Sequence, residues 1–464
     1  FSSRRRHTRY ISVTGVQTCA LPICHGSELA RAEGGDLRID AAGRIAAIGR
    51  LQPEPGERVL DATDCVIYPG WVNTHHHLIQ SLQKGVPGGI NLPLLGWLDA
   101  VPYKLRGKFD AELLSLAAEI GMVELMLSGC TTIADHHYVY WPGMGYDPAQ
   151  VLFDMAERLG VRFVLCRGGA TQQRAFELED PNALPPETLD GIIQDVERLV
   201  HRYHDAGAES MRRIVLAPST PNWSLHVDEL RPTAAAARRL GIRLHSHLSE
   251  TADYVSFCRE KFNRKPVEFV ADHDWLGSDV WFAHMVHLSP SEIAMLAETG
   301  TGTAHCPASN CRLGSGVAPA PALARAGAPV SIGVDGAASN ESADSLSEAH
   351  TCWYTHRAVG GADAVTIEDV IHWGTQGGAR VLGIDNIGSI ECGRAADLAV
   401  YALDQPRHAG LHDPAIGPVA SGGRARLRWL TVQGRVVVED DAIPGLDLPD
   451  LMARARRAVA RLNA

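Results

Sequence analysis

Residues 213–250 read RIVLAPSTPNWSLHVDELRPTAAAARRLGIRLHSHLSE, and this stretch contains one complete unit of the predicted fold. The apolar run at residues 213–218 predicts a buried strand, the periodicity of residues 227–240 predicts an amphipathic helix, and residues 243–247 predict a second strand. A strand, a helix and a strand in this order form a unit in which the two strands run parallel.

The same alternation extends over the middle of the chain. Strand patterns occur in eight places, at residues 70–75, 131–136, 162–168, 213–218, 243–247, 280–285, 301–306 and 329–334. Helical patterns separate them, for example at residues 111–127 and 186–203. Eight strands, each followed by a helix, predict an α/β fold, a distorted (β/α)8 barrel of the TIM type. An open, doubly wound sheet is the alternative, but no GxGxxG motif follows the first strand.

Short β-type segments flank the predicted barrel on both sides. Residues 35–49, GDLRIDAAGRIAAIG, alternate apolar and polar side chains around a turn, which predicts a hairpin. Residues 397–403 and 429–438 are similar short apolar runs near the other end of the chain. We expect residues 25–69 and 385–464 to form one small β-sandwich, with a C-terminal helix, around a barrel at residues 70–384.

Residues 1–24 differ in composition from the rest of the chain. They contain four arginines, no acidic residue and no initiator methionine. An organelle transit peptide has such a composition, but the segment also resembles the translation of a sequencing adaptor. We therefore expect residues 1–24 not to be native to the protein.

The overall composition narrows the classes of function. Of the 464 residues, 45% are hydrophobic and 21% are charged, and no apolar run approaches the roughly 20 residues that span a bilayer. The formal net charge of -11 disfavours binding to nucleic acid. The ten cysteines form no CxxC pair, which favours the cytoplasm over an oxidising compartment. We expect a cytoplasmic protein that binds a small molecule and neither a membrane nor nucleic acid.

The predicted barrel strands end in an unusual concentration of histidines. The first ends in NTHHH (73–77), where alternation along an extended chain puts His75 and His77 on one face. The fifth ends in HSHLSE (245–250), the sixth at His284 and the eighth at Asp335. Side chains at the carboxyl ends of barrel strands converge, and three imidazoles with a carboxylate bind a divalent metal at roughly 2.0–2.2 Å. A lone strand histidine is more often a core residue, and Asp335 alone suits a helix N-cap, so the metal site depends on their combination.

These strand ends belong to longer motifs: PGWVNTHHHLIQ (69–80), HSHLSE (245–250), WFAHMVHL (281–288), HCPASNCRLGSG (305–316), VDGAASN (334–340) and IGSIECGRAADLAVY (387–401). Together they resemble the amidohydrolase superfamily, in its mononuclear metal-dependent branch that deaminates heterocycles. Within this branch, SGCTTIADHHYVY (128–140), RGGATQQR (167–174), HWGTQGGARVLG (372–383) and LHDPAIGPVASGG (411–423) are similar to the isoxanthopterin deaminases, whose close relatives are the 8-oxoguanine deaminases.

The resemblance implies a set of metal ligands. His75, His77, His247 and Asp335 would bind one divalent ion, with Zn²⁺ as the first choice and Fe²⁺ or Mn²⁺ as alternatives. No lysine stands at the end of the fourth strand, where the binuclear branches carry a bridging group, so a single ion is implied.

The resemblance also implies the roles of the groups around the ion. Asp335 would accept the proton of the attacking water, His284 would orient the resulting hydroxide, and Glu250 would protonate the ring nitrogen beside the amino-bearing carbon. Without the resemblance, Glu250 suits a solvated helix start equally well. His305 and Asn310 are interpreted either as residues that support the ligands or as direct contacts of the substrate.

Four further residues are candidates for binding the substrate. Gln80 offers a donor and an acceptor to an amide edge, although it also suits a loop-stabilising amide. Arg167 is expected to pair with ring carbonyl oxygens, with a salt bridge to a neighbouring carboxylate as the alternative. Tyr138 and Trp97 are expected to line or stack on the ring, although large aromatic residues are often ordinary packing.

The leading hypothesis is hydrolysis of isoxanthopterin to its 2-oxo product and ammonia by a metal-dependent deaminase. The alternatives are an 8-oxoguanine deaminase and a triazine amino- or chlorohydrolase, since the same chemistry serves each ring. A hypothesis of another class is a catalytically inactive scaffold, which the intact ligand pattern and Glu250 disfavour. A homo-oligomer is expected from the family resemblance, without a feature that sets its size.

Overall fold

A computed structural model describes the backbone of Ile11–Thr14, Ala20–His25 and Glu28–Glu33 and all of residues 35–464. The interpretation of residues 1–24 as non-native falls mainly on residues outside this part of the chain and stays a prediction. Among the described helices, none combines the length and the apolar character that are needed to cross a bilayer.

The described strands follow the predicted order. In chain order they are β1 (Ile11–Thr14), β2 (Ala20–His25), β3 (Glu28–Glu33), β4 (Asp36–Ile39), β5 (Ile45–Gly49), β6 (Arg58–Asp61), β7 (Cys65–Pro69), β8 (Trp71–His76), β9 (Cys130–His137), β10 (Arg162–Arg167), β11 (Arg212–Leu216), β12 (Arg243–Leu248), β13 (Val280–His284), β14 (Gly302–His305), β15 (Val330–Ile332), β16 (Leu398–Ala402), β17 (Leu427–Val432) and β18 (Arg435–Glu439).

The α-helices lie mostly between the barrel strands. They are α1 (Leu94–Leu98), α2 (Lys104–Arg106), α3 (Ala111–Leu127), α4 (Pro148–Leu159), α5 (Ala175–Leu178), α6 (Leu189–Tyr203), α7 (Leu230–Arg239), α8 (Ala252–Phe262), α9 (Pro266–Ala271), α10 (Pro290–Thr299), α11 (Pro307–Arg312), α12 (Ala320–Arg325), α13 (Ala337–Asn340), α14 (Ser345–Gly360), α15 (Ile367–His372), α16 (Gly378–Leu382), α17 (Gly417–Ala420) and α18 (Leu448–Asn463). The predicted helix at 186–203 begins later, at Leu189, because the Thr188 hydroxyl caps it by accepting the Gly191 N–H.

Strands β8 to β15 form one parallel sheet in sequential order, as predicted for a (β/α)8 barrel. The sheet closes where β15 meets β8. There the Asp335 N–H donates to the His75 carbonyl at 2.9 Å, and the Thr74 and Ser331 hydroxyls are 2.7 Å apart. The predicted barrel is therefore confirmed.

Alternation along the barrel strands separates two cores. In β10, Val164 and Cys166 pack inside the barrel, whereas Phe163 and Leu165 pack outward against the helices. Neighbouring positions on a strand point to opposite faces, so the parity of a residue decides whether it reaches the interior.

The terminal segments form a β-sandwich, and its first sheet also contains β1 (Ile11–Thr14), which lies outside the predicted range of residues 25–69. Two four-stranded sheets, in the orders β5-β4-β1-β6 and β18-β17-β16-β7, cover a shared apolar core that includes Leu37, Ile67, Leu398 and Trp429. Because β7 precedes the barrel and pairs antiparallel with β16, which follows it, both ends of the chain build this domain. The domain boundaries at residues 69 and 384 remain our proposal.

A buried ion pair joins the sandwich to the barrel. The Arg162 guanidinium at the start of β10 contacts Asp397 just before β16, with Nη2 to Oδ2 at 3.0 Å and Nε to Oδ2 at 3.2 Å. Neither side chain is more than 1% exposed. Breaking a buried pair on one side leaves an uncompensated charge away from water.

We expect Asp397→Asn to lower the free energy of unfolding by about 3–5 kcal/mol, since Arg162 stays buried without its carboxylate. Urea unfolding measures this loss. In Glu197→Gln, which removes the exposed pair with Arg239, the loss should be under about 1 kcal/mol. Equal losses in the two variants would show that the buried pair contributes no more than a surface pair.

Candidate functional site

A cavity opens at the carboxyl ends of the barrel strands, with about 600 Å³ of space that includes open solvent at its mouth. Most of the residues singled out from the sequence line it: His77, Gln80, Trp97, Tyr138, His247, Glu250, His284 and Asp335.

Four polar atoms converge at the cavity floor. Asp335 Oδ1 lies 3.4 Å from His75 Nε2 and 3.3 Å from His77 Nε2, and His77 Nε2 lies 3.3 Å from His247 Nε2. In a tetrahedral site with bonds of about 2.0–2.1 Å, neighbouring ligand atoms are about 3.3–3.4 Å apart. The spacing therefore fits one divalent ion among these four side chains.

The opposite nitrogen of each imidazole is held by an acceptor. His77 Nδ1 donates to the His136 carbonyl at 2.7 Å, and His247 Nδ1 donates to the Ser219 carbonyl at 2.6 Å. A carbonyl only accepts, so each Nδ1 carries a hydrogen, and in the neutral ring Nε2 keeps its lone pair. The lone pairs thus face the point that a cation would occupy.

His75 is oriented through a second histidine. Its Nδ1 lies 2.8 Å from His245 Nε2, and His245 Nδ1 lies 3.0 Å from the Trp281 carbonyl. Since the carbonyl requires a hydrogen on His245 Nδ1, the neutral ring accepts at Nε2 and His75 Nδ1 donates to it. This leaves His75 Nε2, which has no hydrogen-bond partner, to face Asp335 with a lone pair.

The ionisation of these groups suits cation binding. Burial lowers the pKa of His75 to about 3 and holds the pKa of His247 well below its usual value, so both rings are neutral at neutral pH. Burial raises the pKa of Asp335, but the adjacent rings of His75 and His77 outweigh burial and lower the pKa of that carboxyl. The site therefore offers the neutral rings of His75 and His247 and one carboxylate, together with His77, whose pKa the contact with Asp335 raises despite burial.

Asp335 is held in an unusual backbone conformation. Its φ is +61°, in the left-handed region that non-glycine residues rarely adopt. Its Oδ2 accepts hydrogen bonds from the Ser309 and Ser339 hydroxyls at 2.5 and 3.0 Å, which turns Oδ1 toward the imidazoles. Such strain is typical of positions whose geometry the surrounding structure imposes.

Glu250 and His284 lie beside the group formed by His75, His77, His247 and Asp335. His284 Nδ1 donates to Asn310 Oδ1 at 3.0 Å, which leaves Nε2 free, 3.7 Å from Glu250 Oε2. Glu250 is 5% exposed, its Oε1 has no partner, and burial raises its pKa. A carboxyl in this state holds its proton to a higher pH than an ordinary glutamate.

The structure also brings the predicted wall residues together. Gln80 Nε2 donates to the Tyr138 hydroxyl at 3.2 Å, and Gln80 Oε1 is buried without a partner. Gly336 lets Gln80 approach, because a Cβ there would lie 1.8 Å from Gln80 Oε1. Trp97 donates from Nε1 to the Ala338 carbonyl at 3.2 Å and presents its ring to the cavity.

Arg167 is not among the residues that line the cavity. Its guanidinium pairs with Glu187 at 2.6 Å and Asp195 at 3.0 Å and stacks on Tyr140. Arg167 has the parity of Phe163 and Leu165, which face outward, so its side chain leaves the barrel. The salt bridge, which was the alternative for this residue, is what the structure shows, and the expected contact with the substrate is corrected.

Sequence reasoning missed several residues of the cavity wall. Arg174, Tyr103, Trp223 and Tyr254 line it from loops and short helices that follow the strands. Arg174 stands at the end of the RGGATQQR motif, seven residues after Arg167, so the motif marked the correct loop but not the correct arginine.

His305 and Asn310 support different groups. Asn310 fixes His284, whereas His305 Nε2 contacts His356 Nε2 at 3.0 Å, with Cys352 nearby. Neither residue is among those that line the cavity. Both therefore act behind the cavity wall.

Comparison with known proteins places these features in a family context. A family model described as the amidohydrolase family matches residues 66–437. The chain is 56% identical over 447 residues to an isoxanthopterin deaminase from an unknown prokaryotic organism, covering 93% of this chain and 92% of the relative. It is 39% identical to 8-oxoguanine deaminase of Pseudomonas aeruginosa, covering 91% of this chain and 94% of that one.

A solved structure shares the architecture. The zinc complex of atrazine chlorohydrolase from Arthrobacter aurescens superposes with a TM-score of 0.89 at 27% identity, covering 97% of this chain and 100% of that one.

We expect His245→Phe to weaken zinc binding about 10- to 100-fold, because His75 Nδ1 loses the acceptor that fixes its tautomer. Phenylalanine keeps the ring that stacks on Trp281 at 4.4 Å between centroids. Competition with a chelator gives the dissociation constant of zinc. His245→Gln, which restores an acceptor, should recover part of the affinity, and unchanged affinity in His245→Phe would contradict the role of His245.

Proposed function

Because the chain belongs to the amidohydrolase family, we propose that it is a metal-dependent hydrolase that removes the amino group of a bicyclic heterocycle as ammonia. We further propose isoxanthopterin as the substrate and its 2-oxo analogue as the product. The 56% identity to an isoxanthopterin deaminase over most of both chains supports this ring over the others.

One observation in the structure carries the proposal. A buried carboxyl, Glu250, whose Oε1 has no hydrogen-bond partner, lies beside three converging imidazole nitrogens and Asp335 Oδ1. Hydrolytic deamination needs both an activated water and a proton donor for the ring nitrogen. The cavity holds groups suited to both tasks within a few ångströms.

The donor set fits a single divalent ion. His75, His77, His247 and Asp335 would hold it, and we propose Zn²⁺, with Fe²⁺ or Mn²⁺ as alternatives for this set of nitrogen and oxygen ligands. Such an ion lowers the pKa of a coordinated water towards about 7 and so supplies a nucleophile at neutral pH.

Glu250 is the proton donor to the ring. Burial raises its pKa, which favours the protonated form, and the carboxyl transfers its proton to the ring nitrogen beside the amino-bearing carbon. This transfer prevents an anion from building up in the ring when the carbon is attacked. Glu250 is then a carboxylate, so the proton that Asp335 took from the water passes to the departing amino group to give ammonia, and Glu250 regains a proton from the hydroxyl of the intermediate as the new carbonyl forms.

Asp335 deprotonates the attacking water, and His284 orients it. Asp335 Oδ1 accepts its proton, while the hydrogen bonds to Ser309 and Ser339 stabilise the charge on Oδ2. His284 keeps a free lone pair at Nε2 because Asn310 Oδ1 binds its Nδ1–H, so it accepts a hydrogen bond from the water and orients it.

The substrate ring is bound between the walls of the cavity. Gln80 presents an unpaired Oε1 to a ring N–H, Tyr138 keeps its hydroxyl hydrogen for an acceptor, and Trp97 supplies an apolar surface.

That the protein acts in the cytoplasm, binds no nucleic acid and forms homo-oligomers stays a prediction.

We expect Glu250→Gln to lower kcat about 10²- to 10⁴-fold with zinc content unchanged, because glutamine fills the site but transfers no proton. Ammonia release and metal analysis measure the two quantities. Asp253→Asn changes the nearby exposed carboxylate on α8 and should keep wild-type kcat. Activity within a few-fold of wild type in Glu250→Gln would remove Glu250 from the mechanism.

We expect zinc-loaded protein to release ammonia from isoxanthopterin with the highest kcat/KM in a panel that also holds 8-oxoguanine and an aminotriazine. A higher value for another ring would keep the reaction and replace the substrate. No turnover of any ring at full zinc occupancy would favour the inactive scaffold.

A further inference from the structure

One cation of the cavity wall has no partner. Arg174 lines the cavity with Glu250 and Trp223, and its buried Nε lacks a hydrogen-bond partner. Within residues 35–464, no carboxylate lies within ion-pair distance of its guanidinium, although Glu250 is close enough for an electrostatic interaction. Arg174 as a whole is only partly buried, but a buried N–H without an acceptor is costly. The position therefore fits a ligand that brings an acceptor.

The nearest carboxylate in sequence is already occupied. Glu177 Oε2 accepts the backbone N–H of Arg174 at 2.8 Å, and the other oxygen of Glu177 binds Arg106. These two contacts satisfy Glu177 and anchor the backbone at Arg174 without involving the Arg174 side chain. Arg167 differs, because Glu187 and Asp195 neutralise it outside the barrel.

An aromatic wall holds the guanidinium in place. Its Cζ lies 5.4 Å from the centroid of the Trp223 ring, and Trp223 packs edge-on against the buried Tyr254 at 4.5 Å between centroids. A cation held over an aromatic face is positioned while its N–H groups stay available. Arg174 is thus oriented before a ligand arrives.

Among the charged groups around the cavity, Arg174 is the one that favours an oxygen ligand. Asp335 contacts His75 and His77, and Glu250 lies 3.7 Å from His284 Nε2. Much of the remaining wall is apolar, including Leu94, Leu98 and Leu313. In such surroundings a guanidinium binds a carbonyl or enolate oxygen more strongly than in water.

We infer that Arg174 binds a carbonyl oxygen on the substrate ring system, remote from the reacting amino group. It thereby selects amino-heterocycles with a second ring carbonyl over analogues that lack it. The inference rests on the proposed function for the reaction and deepens it by naming the substrate class. Isoxanthopterin and 8-oxoguanine belong to this class, whereas pterin and guanine each lack the second carbonyl oxygen.

Two matched pairs of rings test this role. In zinc-loaded protein, kcat/KM is measured for isoxanthopterin against pterin and for 8-oxoguanine against guanine, in wild type, Arg174→Met and Arg174→Lys. In each pair that the enzyme turns over, Arg174→Met should lower kcat/KM for the ring with the second carbonyl about 10- to 100-fold, mainly by raising KM. For the ring without that carbonyl, the loss in kcat/KM should be at least several-fold smaller. Arg174→Lys should lie between, and Arg259→Met, an exposed arginine on α8, should match wild type.

Binding without turnover separates the inference from the proposed function. Fluorescence titration of the two pterins with Glu250→Gln protein, with and without Arg174→Met, gives both dissociation constants. A preference for isoxanthopterin that disappears with Arg174→Met supports the inference even if wild type deaminates neither ring. A preference that survives Arg174→Met, an equal loss for both rings, or no preference at all overturns it, whatever the activity.

Discussion

Three hydrogen bonds determine the orientation of the imidazole rings of His75, His77 and His247, the proposed metal ligands, and the rest of the site depends on them. Because acceptors hold Nδ1 of His75, His77 and His247, the lone pairs on Nε2 face Asp335 Oδ1. Two of the acceptors are backbone carbonyls at the ends of β9 and β11, and the third is His245 on β12. The strands therefore set the tautomers as well as the positions of the ligands.

Closure of the barrel and assembly of the cluster use the same residues. Asp335 joins β15 to β8 by donating its N–H to the His75 carbonyl, and the side chains of both residues meet 3.4 Å apart. The left-handed backbone of Asp335 and of His284 turns both side chains into the cavity just beyond their strands. A cation between the ligands would offset the cost of bringing a carboxylate and unshared lone pairs together.

Much of this architecture follows from residue patterns, and the exceptions have physical reasons. Alternation put His75 and His77 on one face, and the apolar runs predicted all eight barrel strands. The same parity places Arg167 outside the barrel, beside Phe163 and Leu165. In the sequence, however, an arginine at the end of a strand and before two glycines looks like a residue that contacts a ligand. Arg174 lies in a loop without periodicity, so its position depends on Glu177 and Trp223, which only the folded chain brings together.

The central claim is that three imidazoles and one carboxylate bind a single divalent ion. X-ray absorption at the zinc edge, on protein loaded with one equivalent of zinc, tests it most directly. The account predicts nitrogen and oxygen ligands at about 2.0–2.1 Å, including three imidazoles, and no sulfur. A sulfur ligand at about 2.3 Å would contradict it, because it would place the ion at the His305, Cys352 and His356 group instead.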